Sequence, residues 1–300
     1  MNLTNNTPMG TQTHDDFIML PTNDVCFAGL MENPKVRKGF CAAVMRVRPE
    51  EIAETELLPT HLHREYADDK LGILDVRVKL IDGVQINLEM QVRNYEFWDE
   101  RALFYISKIF SDQLKSGDSY GMLQKCIHVS ILDFIRFSED KKCYRTIHFR
   151  DDDDNALYND KMELQILELK KLPKEVQTEE DIVHWMRFFS GKNREEFLHM
   201  AQTSEYLGEA YEALQKLSAD DLKRLEYEAR EKALKDYNTN MSSAKNSGIK
   251  IGIKTGIKTG IRLASNVFRL HSQHLSDEAI ASECDISVEE VQEIVALFHK

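Results

Sequence analysis

The chain has 300 residues, a formal net charge of −12 and 42% hydrophobic residues, which suits about two domains, or one with extensions, around a sizeable core. The acidic balance excludes a generic nucleic-acid binder, so any polyanion must meet a local basic patch. Five cysteines with no CxxC spacing exclude a disulfide or zinc framework and fit a reducing cytoplasm.

Residues 1–20 are polar, without a basic-then-apolar leader pattern. No apolar run approaches the ~18 residues that cross a bilayer, so the expectation is a cytoplasmic protein with no membrane partner. Asn33-Pro34 opens a helix, with Asn as N-cap and Pro in the first turn. Val36, Phe40, Val44 and Val47 form its apolar stripe, and Pro49 stops it. Residues 72–80 and 84–93 alternate apolar and polar and read as strands. Residues 97–116 follow helical spacing through Ala102, Ile106, Ile109, Phe110 and Leu114, up to Gly117. Cys126–Phe134, Tyr144–Arg150 and Leu164–Leu169 read as further strands, and Asp151 to Asp154 as a solvated loop. From Glu179 to about Tyr237 the pattern is helical, with Ile182, Trp185, Met186 and Phe189, then Leu214, Leu217, Leu222 and Leu225.

The first two strands carry the chemistry. In G-I-L-D-V-R-V-K-L, Asp75, Arg77 and Lys79 share one face; in V-Q-I-N-L-E-M-Q-V-R, Gln85, Asn87, Glu89, Gln91 and Arg93 do. A two-residue turn at Asp82-Gly83 would set apolar against polar. The faces match only for an odd loop, Ile81-Asp82-Gly83, with Gly83 left-handed. The register then pairs Leu80 with Val84, Val78 with Ile86, Val76 with Leu88 and Leu74 with Met90, and sets Asp75 opposite Glu89. Facing carboxylates are destabilising unless compensated. A hard divalent cation compensates both, and Mg²⁺ often takes only one or two carboxylates plus substrate phosphates. A network with Arg77 and Arg93 explains the same pair, so the two strands alone leave both readings open.

L-D-V, a short hairpin and E-M-Q resemble the signature of the PD-(D/E)XK nuclease superfamily, an Asp followed by Glu-x-Lys. More narrowly the chain resembles the family of recombination-promoting nucleases and transposases, through N-D-V-C-F (23–27), R-A-L-F-Y (101–105), Q-L-K-S-G-D-S-Y (113–120), I-H-V-S-I-L-D-F, W-M-R-F-F (185–189) and the Gly-repeat tail. The resemblance implies an α/β fold with a restriction-endonuclease-like mixed-sheet core and a helical C-terminal extension. It implies Asp75 and Glu89 as ligands of Mg²⁺ (or Mn²⁺), with the Met90 carbonyl nearby, and DNA as substrate. It puts Gln91 where the catalytic Lys usually stands, and adds Arg101 and Tyr105, four apart on one helix face; a packing or salt-bridge pair explains that spacing too. Gln91 orients water but carries no charge, so Arg77, Lys79 or Arg93 are expected to substitute as DNA contacts. Asp24 reads as an N-cap, with Glu32 as the alternative acidic helper. Position 28 is Ala, where relatives often have Lys.

G-I-K-I-G-I-K-T-G-I-K-T-G-I-R (248–262) repeats every four residues. A helix and a strand both order it, and family likeness favours the helix. Lys250, Lys254, Lys258 and Arg262 then form one stripe for DNA phosphates, and the glycines another that permits close self-association into a homo-oligomer. A solvated linker is the plain alternative. Residues 241–275 hold six Lys/Arg and no acid, and 276–300 seven acids and one Lys. Ser276 and Ser287 read as N-caps, the second with Glu290 in a capping box. With the helix before them these resemble a helix-turn-helix, but the last helix has three acids and too few donors for bases, so a protein-contact or capping role is expected. The expected organisation is a nuclease-like domain over 1–175, a helical extension over 176–240, the basic repeat over 241–264 and a small helical tail over 265–300. The expected function is a metal-dependent DNA endonuclease of low sequence specificity; the alternative is a catalytically weak DNA-associated or self-assembling protein that keeps the fold.

Overall fold

The structure, a computed structural model, describes residues 17–61, 75–174 and 180–298. The chain divides into two compact units, residues 1–231 and 232–300. In the first, Asn23 caps α1 (Asp24–Glu32) by accepting from the Val25 N–H, and Asn33 caps α2 (Pro34–Met45) by accepting from Lys35 and Val36. Helix α2 stops two residues short of the predicted stripe's last member, Val47, because Arg46 turns left-handed (φ 57°).

Six strands follow: β1 (Thr55–Leu58), β2 (Val76–Leu80), β3 (Gln85–Gln91), β4 (Cys126–Leu132), β5 (Tyr144–Arg150) and β6 (Leu157–Glu168). They form one mixed sheet of order β1-β2-β3-β4-β6-β5, with β3, β4 and β6 parallel and the outer pairs antiparallel. Strand β1 was not anticipated. The β2–β3 hairpin has the expected register, Val76 opposite Leu88, Arg77 opposite Asn87 and Val78 opposite Ile86. Its odd loop closes through Leu80 N–H to Val84 O at 2.8 Å, with Gly83 at φ 91°. The Leu74–Met90 pair lies outside the described residues.

Helix α3 (Trp98–Ser111) ends before the expected Gly117. There Gln113 leaves the helix, its amide donating to Gln124 O and accepting from Gln124 N. The expected long helical stretch is four helices: α4 (Asp181–Ser190), α5 (Arg194–Ala201), α6 (Glu205–Ala219) and α7 (Asp221–Ser272). Helices α4 and α6 pack on α2, and α6 also on α1. Gly39 lets α2 and α6 approach; a Cβ there would meet Tyr206 Cβ at 2.6 Å.

The main core lies between these helices and one sheet face, joining Phe27, Phe40 and Phe189 with Ile86, Leu88 and Met90. The Phe40 and Phe189 rings meet edge to face at 4.9 Å, and each such side chain contributes ~1.5–3 kcal/mol by burial. Helix α3 covers the other face, across β4 and β6. Every residue of β3 and β4 is therefore buried, so the polar face of β3 is covered rather than solvated.

In the second unit, Val267 and Leu270 of α7 pack with Ile280 and Ala281 of α8 (Asp277–Cys284) and Val291 of α9 (Val288–Phe298). Ser276 caps α8, and Ser287 and Glu290 exchange both capping-box bonds. The repeat 248–262 is helical within α7, and Ile249, Ile251, Ile253, Ile257 and Ile261 are exposed.

Candidate active site

The hairpin register brings Asp75, the residue before β2, beside the end of β3. Asp75 Oδ2 accepts from the Met90 N–H at 2.9 Å, and the residue is half-buried. Glu89 is 4% exposed. Its Oε1 accepts from Arg101 Nη2 at 2.6 Å, and its Oε2 lies 3.6 Å from His128 Nε2. Burial first, then the charge of Glu89, pushes the Asp75 carboxyl up to about 7; the Met90 N–H pulls the other way, Asp24 adds to the rise and Arg101 opposes it. The metal-free hairpin thus holds one of its carboxylates near half protonation at neutral pH.

Helix α3 aims Arg101 and Tyr105 at the same place. The guanidinium carbon of Arg101 lies 5.0 Å from the Tyr105 ring and 5.9 Å from the Tyr95 ring, within cation–π range. Tyr105 is 7% exposed, and burial raises its phenol pKa, with Arg101 opposing and Glu89 and Asp75 adding. Gln91 ends β3 at 9% exposure, its carbonyl accepting from Asp133 N–H at 2.9 Å. Its side-chain amide makes no hydrogen bond to another described residue.

Two groups were missed in the sequence. Asp24 is not the N-cap, a role Asn23 fills. Instead Asp24, Val25, Ala28, Asp75, Lys223 and Glu226 line one cavity of about 290 Å³, and Asp24 Oδ2 pairs with Arg230 Nη2 at 2.6 Å. Glu32, the other candidate helper, ends α1 and lies 3.9 Å from Lys223. The second group is the buried pair His128 and Ser130 on β4. Its signal was two polar residues alternating inside an apolar strand, legible only once β4 is known to lie parallel to β3.

The remaining candidates are not joined to Asp75 or Glu89 by any bond between described residues. Arg77 donates to Gln85 Oε1 at 2.7 Å, toward the loop end of the hairpin. Lys79 is exposed, and Arg93 is half-buried two residues past Gln91. Lys250, Lys254, Lys258 and Arg262 are exposed on α7 in the second unit.

Among the described residues no three His, Cys, Asp or Glu side chains cluster with metal-binding geometry. Asp75 and Glu89 are the two carboxylates that would supply oxygen ligands to Mg²⁺ or Mn²⁺, with water and phosphate completing its shell. The placement of the Asp75 carboxylate on the Met90 N–H, beside the buried Glu89, is the observation in favour of that fit.

A family model described as PD-(D/E)XK nuclease family transposase matches residues 21–244. The chain belongs to this family. No curated protein and no solved structure matches it significantly. The matched span of this nuclease-family chain runs from residue 21, just before α1, into α7 and stops before the 248–262 repeat, so the family model does not extend to the repeat included in the sequence likeness. The mixed sheet and its covering helices agree with a PD-(D/E)XK nuclease-like core. No described helix is long and apolar enough to cross a membrane.

Proposed function

We propose that this nuclease-family protein is a metal-dependent DNA endonuclease of low sequence specificity, acting in the cytoplasm, with Asp75 and Glu89 as ligands of Mg²⁺ or Mn²⁺. The observation that carries the reading is geometric: the Asp75 carboxylate, bonded to the Met90 N–H, stands beside a buried Glu89 whose Oε1 is bonded to Arg101. A bound ion at such a pair supplies an activated water and offsets phosphate charge. Arg101, steadied by the Tyr105 and Tyr95 rings, provides the positive charge that Gln91 lacks. Gln91 orients water through its unengaged amide. Supercoiled plasmid incubated with Mg²⁺ tests the reading: nicking by the wild type, lost in Asp75→Asn and Glu89→Gln, is the expected result. Metal-independent nicking, or none by the wild type, overturns it.

The neutral Gln91 and the exposed helical repeat favour a second reading, a catalytically weak protein that associates with DNA or with its own copies. Both readings assign Lys250, Lys254, Lys258 and Arg262 to phosphate contacts. Each such contact lowers affinity with salt at a slope of about −0.9 on duplex DNA. Removing residues 241–300 is expected to weaken binding and flatten that slope, and an unchanged slope makes the repeat a linker. A change of oligomeric state on the same truncation reports self-association.

A further inference from the structure

Beneath α3, Glu89 is one corner of a buried polar block. In the parallel β3–β4 register Asn87 stands beside His128 and Glu89 beside Ser130, and none of the four is more than 4% exposed. Asn87 Nδ2 donates to His128 Nδ1 at 2.8 Å. In the neutral ring that bond leaves the proton on Nε2, which lies 3.0 Å from Ser130 Oγ and 3.6 Å from Glu89 Oε2. Reversing the Asn87 amide would put the proton on Nδ1 and turn a nitrogen lone pair toward a carboxylate, so the first arrangement is favoured. Among the described residues Asn87 Oδ1 has no hydrogen-bond partner though buried, a cost that an apolar residue would avoid.

We propose that His128, seated by Asn87 and Ser130, is a positioning residue for Glu89. Its Nε2–H donates to Ser130 Oγ at 3.0 Å and lies 3.6 Å from Oε2, too far for a hydrogen bond, so it acts on Oε2 through its dipole and leaves Oε1, the oxygen now bonded to Arg101, as the one that takes a metal ion. Groups that orient a ligating carboxylate are typically worth 10–100-fold in metal affinity. The inference rests on Glu89 being a metal ligand.

Calorimetric Mn²⁺ titration of the full chain, with the melting temperature of each sample, tests it. His128→Leu is expected to weaken binding per folded molecule roughly 10–100-fold, with a lower melting temperature because the buried Asn87 amide and Ser130 hydroxyl lose their partner. His128→Gln, which keeps an amide donor, is expected to recover most of the affinity. Asn87→Leu, which removes the donor to Nδ1 but leaves the ring, should weaken binding in the same direction, and it decides the matter if His128→Leu does not fold. Wild-type affinity in His128→Leu, or equal affinities in the Leu and Gln variants, overturns the positioning role alone. A wild type that binds no Mn²⁺ overturns the metal reading of Glu89, and this inference with it.

Discussion

Strand β3 turns Ile86, Leu88 and Met90 to one side and Asn87, Glu89 and Gln91 to the other, and both sides are buried. The first side meets α1 and the large aromatic core. There the free energy comes from apolar area and close packing, and any residue of the right volume serves nearly as well. The second side lies on the α3 face, where Glu89 is held by Arg101, and where Asn87 Oδ1 and Arg101 Nε have no hydrogen-bond partner among the described residues. Burying charge there returns little stability, because desolvation offsets the attraction of an ion pair. One strand therefore supports the fold with one face and holds its reactive groups on the other.

The largest effect expected is on the apolar face. Leu88→Ala should cost ~2–5 kcal/mol and lower the melting temperature by roughly 5–15 °C, with Mn²⁺ affinity per folded molecule unchanged. Denaturation and titration of the same samples check this, and a parallel loss of metal affinity would show that the two faces are not separable.

On the polar face the effects should divide differently. Arg101→Met leaves the Glu89 carboxylate buried without its cation, at a cost on the order of 1–3 kcal/mol. Mn²⁺ should bind more tightly to it, because no guanidinium competes for Oε1, while plasmid nicking per folded molecule falls roughly tenfold or more. Weaker metal binding in this variant would mean that Arg101 organises the carboxylates rather than competing for them. A smaller effect is expected at Gln91. Gln91→Lys should keep or raise nicking and Gln91→Ala lower it, with little change in melting temperature. An unchanged rate in Gln91→Ala removes Gln91 from the catalytic set.

The apolar face was legible in the sequence because alternation and loop chemistry are local. An odd loop with a left-handed Gly83 was enough to pair Val78 with Ile86. Asn33-Pro34 and the Ser287–Glu290 box declared their helix starts in the same local way. The polar face was legible only in part. The residues of β3 carry their alternation, but the helix that covers them comes from residues 98–111 and the strand beside them from 126–132. Nothing local to His128 says that it stands beside Asn87. Asp24 was missed for a related reason: an acid at a helix start is explained by capping, and its nearness to Asp75 arises only from how α1 packs on the sheet.

The most direct test of the paired carboxylates is Mn²⁺ binding followed by calorimetry at several pH values. A folded-state pKa near 7, above the ordinary carboxylate value of 3.8, means that metal-free Asp75 still carries a proton at pH 6. In the metal-free protein this group's contribution to stability is full below about pH 4 and is lost as pH rises toward 7. Asp75→Asn should therefore raise the metal-free melting temperature at pH 8. Mn²⁺ must displace that proton, so wild-type affinity should climb by up to about tenfold per unit below pH 7 and level off above it. About one proton should be released per ion at pH 6, and both effects should vanish in Asp75→Asn together with tight binding. An affinity independent of pH, or an Asp75→Asn variant that binds Mn²⁺ as the wild type does, would contradict the pairing of Asp75 with Glu89 as a metal site.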